Sequence, residues 1–403
     1  MRVLFVPAAA PSHYYPMAPL AWAFRLAGHD VVVAGQPPVT DPVVRSGMTA
    51  VAVGGGYDML AGLTEATETV RRETGRLLSG SATWASLPPE VQRRYSEMRG
   101  APHVRTAEDM AEDLVAFTRD WRPDLVVSDP LTYAAALAAD VAGIPLVHHL
   151  WGPQPPSLAK FPGFGAPPER WPQDLLKLFA RFGARPRAEH GLCTVDPCPP
   201  SLQPAPVRAQ VRTAYRPYNG SGQVPGWLLR RAERPRVCVS WMTTNTAAAG
   251  QGARHPVGTL VGALAALDAE VVALVRPADR ERIGPVPDGV RLVTDLPLHA
   301  VLAGCDAAVN HGGAGTMLTA ACLGVPQVIV PQEAGLVFNA ECLAATGAGV
   351  ALPSSETDGE RIAATVAPLL HDPARRLAAG RLAEENAAQP SPFEVLATLQ
   401  ELM

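Results

Sequence analysis

The segment Asn310-His311-Gly312-Gly313-Ala314-Gly315-Thr316 carries the clearest chemistry in the chain. It follows the apolar run DAAVN and opens the apolar stretch MLTAACLG. Glycines let a backbone pass close to an anion, and the free N–H groups of a helix start point at it. Thr316 would add a hydroxyl and His311 a ring donor. The pattern describes a diphosphate site, although neither the GxGxxG spacing nor the lysine-bearing P-loop spacing is present. Taken alone, it fits a ligand-free turn between strand and helix equally well. A second candidate is His13, in Pro11-Ser12-His13-Tyr14-Tyr15-Pro16, just after the first strand. An imidazole, with a reference pKa of ~6.5, suits a base that takes a hydroxyl proton near neutral pH. The same position also suits a loop histidine that only hydrogen-bonds backbone. Asp129 follows the apolar run Leu125–Val127.

Other titratable groups read as structural. His29, in Ala-Gly-His-Asp-Val, is expected to cap and pack a helix end. His148 and His149 are adjacent on a strand, so they face opposite ways and do not share an ion. His299 is placed at a helix start near the candidate phosphate loop. Six cysteines (Cys193, Cys198, Cys238, Cys305, Cys322, Cys342) show no CxxC pair and read as buried small apolar residues. No metal site and no cofactor are expected. The net charge of −4 makes no electrostatic case for nucleic acid. Only Lys160 and Lys177 are lysines; the abundant arginine, alanine, glycine and proline look like codon bias. No apolar stretch spans a membrane and RVLFV begins at once, so a soluble, cytoplasmic protein is expected.

These residues need two scaffolds. At 403 residues the chain exceeds one ordinary core. Apolar strands (Val3–Val6, Val31–Ala34, Leu125–Val127, Pro145–His148) alternate with helical segments (Ala18–Ala27, Ala107–Trp121, Leu131–Val141). That rhythm marks a parallel sheet covered on both faces. It fails from Trp151 to Pro217, where proline and aromatic residues dominate, and Tyr215–Pro225 has the Gly/Pro content of a linker. It restarts with strands at Val237–Ser240, Val271–Val275, Val290–Val293, Ala307–Asn310 and Gln327–Val330. The expected fold is α/β, with two Rossmann-like domains facing across a cleft. Residues 1–217 and 218–388 would each form one unit, and 389–403 a helix returning to the first. Ala61–His103, polar and irregular, reads as a mobile lid. Met59, Trp84 and Trp151 are candidates to line an apolar pocket there, although each by itself fits core better than pocket.

HGGAGT, with LGVPQVIVPQ and NAECLAATGAGVAL after it, resembles the donor-binding region of family 1 glycosyltransferases of the two-Rossmann (GT-B) type. SHYYPMAPLAWAFRLAGHDVVVA, PDLVVSDPLTYAAALAADVAGIPLVHH and YRPYNGSGQVPGWL look like the polyketide-antibiotic subgroup, and the resemblance runs along nearly the whole chain. It implies an inverting enzyme that moves a deoxysugar, or an aminodeoxysugar, from a dTDP donor to a hydroxyl of a hydrophobic polyketide-type aglycone. By the same resemblance residues 1–217 would bind the acceptor, with Met59, Trp84 and Trp151 as candidates, and 218–388 the nucleotide sugar; His13 matches the catalytic histidine and Asp129 its carboxylate partner. Relatives using UDP-sugars carry a glutamate for the ribose hydroxyls where this chain has Thr319; a 2′-deoxyribose has only one such hydroxyl, which favours dTDP. Gly335-Leu336 replaces a polar pair for sugar hydroxyls, which suits a deoxygenated sugar, while Glu333 could meet an amino group. Asp295 stands where an aromatic shelf under the base is common, before Leu296; Trp241 is the candidate replacement face. Thr243 and Thr244 remain phosphate candidates, and Met242 stands where glycine is usual. Some relatives need a cytochrome-P450-like helper protein, and a homodimer is a further open partner. The alternatives are a C-glycosyltransferase on an aromatic carbon, a sugar-nucleotide 2-epimerase, and a non-catalytic sugar-nucleotide-binding protein.

Overall fold

The structure, a computed structural model, describes all residues except 75–86, 156–159, 231, 242–255, 332–333 and 354–357. The expected pair of Rossmann-like domains is what the chain builds. In the first, strands β1 (Arg2–Val6), β2 (Asp30–Gly35), β3 (Thr49–Ala52), β4 (Leu125–Ser128) and β5 (Leu146–His149) belong to one parallel sheet. A two-residue pair, β6 (Phe161–Pro162) and β7 (Gly165–Ala166), precedes β8 (Gly191–Asp196) and β9 (Gln210–Arg212), which extend that sheet. Its order is β3-β2-β1-β4-β5-β8-β9. The second sheet holds β10 (Arg236–Ser240), β11 (Glu270–Leu274), β12 (Val290–Val293), β13 (Ala307–Asn310), β14 (Gln327–Ile329) and β15 (Gly349–Ala351). Its order is β12-β11-β10-β13-β14-β15, again all parallel.

The central strands are buried on both faces because helices cover both, and their sequences are accordingly unbroken apolar runs. In each sheet the strand order reverses between two neighbours, β1 and β4 in one, β10 and β13 in the other. Ligands of such folds bind outside the carboxyl ends of the strands at that switch. His13 and Asp129 follow β1 and β4; Trp241 and His311 follow β10 and β13.

Two expectations about the first half need correcting. The described residues between Ala61 and His103 are mostly helical and not irregular: helices run over Met59–Thr74 and Pro89–Trp121, with Trp84 outside the described residues. Val70 and Tyr95, with Leu87 and Met98 against them, form a small apolar cluster between these helices. Charges dominate the sequence there, so the sparse apolar stripe is masked in composition although it recurs at helical spacing. The apparent break after Trp151 also conceals β8, β9 and the amphipathic helix Gln173–Phe182. Prolines frame each element closely and β8 carries Cys193 and Thr194, so no long apolar run announces it.

His29 caps and packs its helix end as expected, through its backbone N–H and with its ring 5.6 Å from that of Phe24. Gly28, at φ +87°, turns the chain, and the His29 N–H closes the helix on the Phe24 carbonyl at 3.1 Å. Its ring lies 3.2 Å from the Met1 nitrogen. All six cysteines are free, Cys305 and Cys322 only partly buried. The last helix, Pro392–Glu401, opens with a Ser391–Glu394 capping box and lays Val395, Leu396 and Leu399 into the core around Phe24 of the first domain. Among the described residues, no helix is long and apolar enough to cross a membrane.

Candidate active site between the two sheets

The first half of the site begins where β1 ends. After Val6 the chain makes a tight turn, with Ala10 N–H bonded to Ala8 O, and enters the one-turn helix Pro11–Tyr14. Proline at its first position needs no hydrogen-bond acceptor for a missing N–H. This turn carries His13 to Asp129, whose backbone N–H is tied to Val6 O at 3.2 Å. His13 Nδ1 lies 2.6 Å from Asp129 Oδ2, and Asp129 Oδ1 accepts the Leu131 N–H at 2.8 Å. The carboxylate is buried and the imidazole side chain 17% exposed. An ionised carboxylate only accepts, so Nδ1 carries the proton and Nε2 keeps its lone pair. Trp151 covers the imidazole, ring centroids 4.7 Å apart at 39°.

The groups around Asp129 decide what balances its charge. Burial pushes His103 and His149 down to about 4, although the Asp129 charge pulls both upward. Burial likewise raises the Tyr133 phenol far above its ordinary value. All three are therefore neutral near pH 7. Of these rings, only His13 is bonded to the carboxylate.

The second half is the loop after β13. Gly312 stands at φ +90°, where a Cβ would lie 2.9 Å from Ile329 Cγ2 and 3.0 Å from Leu336 O, so both conformation and space require glycine. Asn310 Oδ1 accepts the Gly312 N–H at 2.8 Å, and Asn339 Nδ2 donates to Gly312 O at 2.8 Å. The loop is thus held from both sides. It ends at Gly313, which caps the helix Ala314–Cys322 without any side-chain bond, and no acidic residue occupies the first turn. Free N–H groups at such a helix start are suited to an anion. His311 is buried, its Nδ1 has no partner among the described residues, and burial pushes it down to about 4 against a hydrogen bond with the Ser240 backbone. It is a neutral ring with an unmet polar atom at the loop.

Several candidates land elsewhere than expected. Trp241 offers no open face: it is 1% exposed, packed with Val257 and Val309, and stands 5.9 Å from the His311 ring. It buttresses the loop histidine instead of lying under a base. Met59 is buried at a helix start, while Trp151 lies in the site. Leu296 packs partly against the Leu298–Leu302 core beside Asp295, which is strained at φ +56°. Thr316 is buried in the first turn of the loop helix. Gly315 is approached only by the Tyr215 hydroxyl, 3.9 Å from where a Cβ would stand. Thr243, Thr244, Glu333 and Trp84 lie outside the described residues. Thr319 is fully buried and its hydroxyl donates to Gly315 O at 2.6 Å.

Sequence reasoning missed Gly152, His103 and Asn219. A Cβ on Gly152 would fall 2.5 Å from the Ala314 Cβ, so this glycine is where the two halves of the site touch. Nothing in the local pattern around it signals that contact. Asn219 was absorbed into a linker composition, yet its amide reaches both Thr319 and His299.

Two family models match the chain: Erythromycin biosynthesis protein CIII-like, N-terminal domain, over residues 22–241, and its C-terminal domain over 258–402. A 3-alpha-mycarosylerythronolide B desosaminyl transferase of Saccharopolyspora erythraea is 34% identical, across 100% of this chain and 98% of its own length. A TDP-daunosamine transferase of Streptomyces peucetius, DnrS, is 36% identical across 100% and 97%. The glycosyltransferase VinC, solved in complex with dTDP, superposes with a TM-score of 0.79 at 32% identity, covering 100% of this chain and 99% of VinC. Two matched domains, full-length relatives and a shared two-sheet architecture lead to one assignment: the chain belongs to the erythromycin biosynthesis protein CIII-like family and is a GT-B glycosyltransferase.

Proposed function

We propose that the chain transfers a deoxysugar, with inversion, from a dTDP donor to a hydroxyl of a hydrophobic polyketide-type aglycone in antibiotic biosynthesis. The observation that carries this reading is the His13–Asp129 pair, bonded through Nδ1 and covered by Trp151, whose neighbour Gly152 touches Ala314 at a helix start without a side-chain cap. Nε2 takes the acceptor proton as the acceptor oxygen attacks the anomeric carbon. The bond from that carbon to the diphosphate breaks, and its electron pair leaves with the diphosphate. The N–H groups at Gly313–Thr316 meet the developing charge; the neutral His311 ring, whose one proton goes to the Ser240 backbone, has none left to donate there. Asp129 and the Trp151 face stabilise the imidazolium. One displacement inverts the carbon.

The donor reading is supported by what surrounds the helix. Thr319 leaves no carboxylate to take a pair of ribose hydroxyls, and its own hydroxyl is spent on Gly315. Leu336 packs beside Gly312, an apolar neighbour that suits a sugar lacking a hydroxyl. VinC was solved with dTDP, and both curated relatives are named for transfer of a single sugar. A C-glycosyl product would use the same base beside a phenol, and fragmentation of the product separates the two bonds.

Calorimetric titration with dTDP and UDP tests the donor. Binding of dTDP at least tenfold tighter is the expected result. Equal or reversed affinity would reopen UDP-sugars, and turnover of a dTDP-deoxysugar with a polyketide aglycone then decides the acceptor class.

A further inference from the structure

The reading above leaves unassigned the side chain that meets the donor's nucleoside sugar. Thr319 is not available, because its hydroxyl proton goes to Gly315 O at 2.6 Å while its oxygen accepts Asn219 Nδ2 at 3.1 Å. Tyr215, at 3.5 Å from the same oxygen, closes the other side. The hydrogen-bond chain continues through Asn219 to His299.

Here the proton positions are determined. The backbone N–H of His299 donates to Asn219 Oδ1 at 3.1 Å, so that atom is the carbonyl oxygen. His299 Nδ1 lies 3.2 Å from the same oxygen, and two groups meeting a carbonyl oxygen must both be donors. Nδ1 is therefore protonated, which leaves Nε2 of the neutral ring with a lone pair and no proton. Partial burial lowers the ring's pKa and favours that neutral form. The remaining Asn219 amide protons face Thr319, consistent with its oxygen accepting there. His299 is half-buried, so its ring is not sealed in the core.

The location limits what Nε2 could serve. Thr319 sits one helical turn beyond Gly315, on the helix whose start faces the diphosphate, and Asn219 links it directly to His299. The unit bonded to the diphosphate is the nucleoside sugar, and the only hydroxyl of a 2′-deoxyribose diphosphate is at C3′. We propose that His299 Nε2 accepts a hydrogen bond from the 3′-hydroxyl of the donor's deoxyribose, with Asn219 as the positioning residue that fixes the ring. One acceptor for one hydroxyl takes the place of a carboxylate that would serve two. This inference rests on the dTDP reading.

The test is a cycle between ligand and protein. Binding of dTDP and of its 3′-deoxy analogue is titrated against the wild type, His299→Phe, His299→Gln and Asn219→Ala, each checked for an unchanged unfolding transition. Loss of one neutral hydrogen bond corresponds to about 3–10-fold in affinity, and the wild type should lose that much on the 3′-deoxy analogue. His299→Phe should bind dTDP as weakly as the wild type binds the analogue and lose less than about twofold further. His299→Gln, which keeps an acceptor, should retain part of the preference, and Asn219→Ala should blunt it. An equal loss on the analogue in wild type and His299→Phe overturns the proposal while leaving the dTDP site intact. A wild type that does not bind dTDP overturns both.

Discussion

Gly152 and Ala314 stand so close that a methyl on the glycine would lie 2.5 Å from the alanine's own methyl. One partner follows Trp151, which covers His13; the other is the first residue of the helix that opens after the glycine loop. This pair therefore sets how closely the His13 side of the site approaches the start of that helix.

Gly152→Ala should push the halves apart by about 1 Å, and a shift of that size costs on the order of 10²-fold in rate. The expected result is kcat down about 10–100-fold with dTDP affinity within about threefold of wild type. Steady-state kinetics beside calorimetry separates the two; an unchanged kcat would show that the contact has no catalytic consequence.

His13→Ala should lower kcat by about 10²–10⁴-fold, the range of a positioned base. Asp129→Asn leaves the ring without its carboxylate at 2.6 Å and should cost less. Because the pair acts as a unit, the double variant should be close to His13→Ala alone. Additive losses would show that Asp129 acts independently of the histidine. Trp151→Ala, which uncovers the imidazole, should fall between wild type and Asp129→Asn.

Acid should unfold the protein early. His103, His149 and His311 are held at about 4 by burial, against ~6.5 in an unfolded chain. Between those values the unfolded chain binds more protons, so stability is full above the upper limit and falls as pH drops towards the lower one. Each group should cost on the order of 1–2 kcal/mol by pH 5. Thermal unfolding followed from pH 7 to 5 should show a steep fall in Tm, shallower in His103→Phe. A flat profile would contradict the neutral, buried assignment.

The C-terminal helix is a structural clasp on the first domain. Leu399→Ala removes a side chain that is 1% exposed in the core with Phe24 and should cost about 2–5 kcal/mol. Denaturant unfolding measures it. A change under about 0.5 kcal/mol would mean that the helix is dispensable for the first domain.

Much of the architecture was legible from local pattern. The unbroken apolar runs of β1, β4, β10 and β13 announce strands buried on both faces, and glycine is demanded at Gly312 by backbone conformation alone. Continuous strands followed by a glycine-rich helix start or a histidine are local statements, so the chain states them locally. Where the pattern misled, charges or prolines hid a sparse apolar stripe, as in Pro89–Trp121 and in β8. Trp241 illustrates a different failure: a large aromatic at a strand end reads as a binding face, yet only packing shows that its ring is turned into the core.

The sequence by itself determined two Rossmann-like units, a loop able to take an anion, and a histidine and a carboxylate at the ends of strands. Only the tertiary structure decided that Nδ1 of His13 meets Asp129 and that Gly152 touches Ala314. It alone closed the chain from Thr319 through Asn219 to His299. These contacts join residues roughly 80 to 160 positions apart. Nothing in the residues between two such partners encodes their separation, because it arises from how the strands line up at the switch in each sheet and how the two sheets meet.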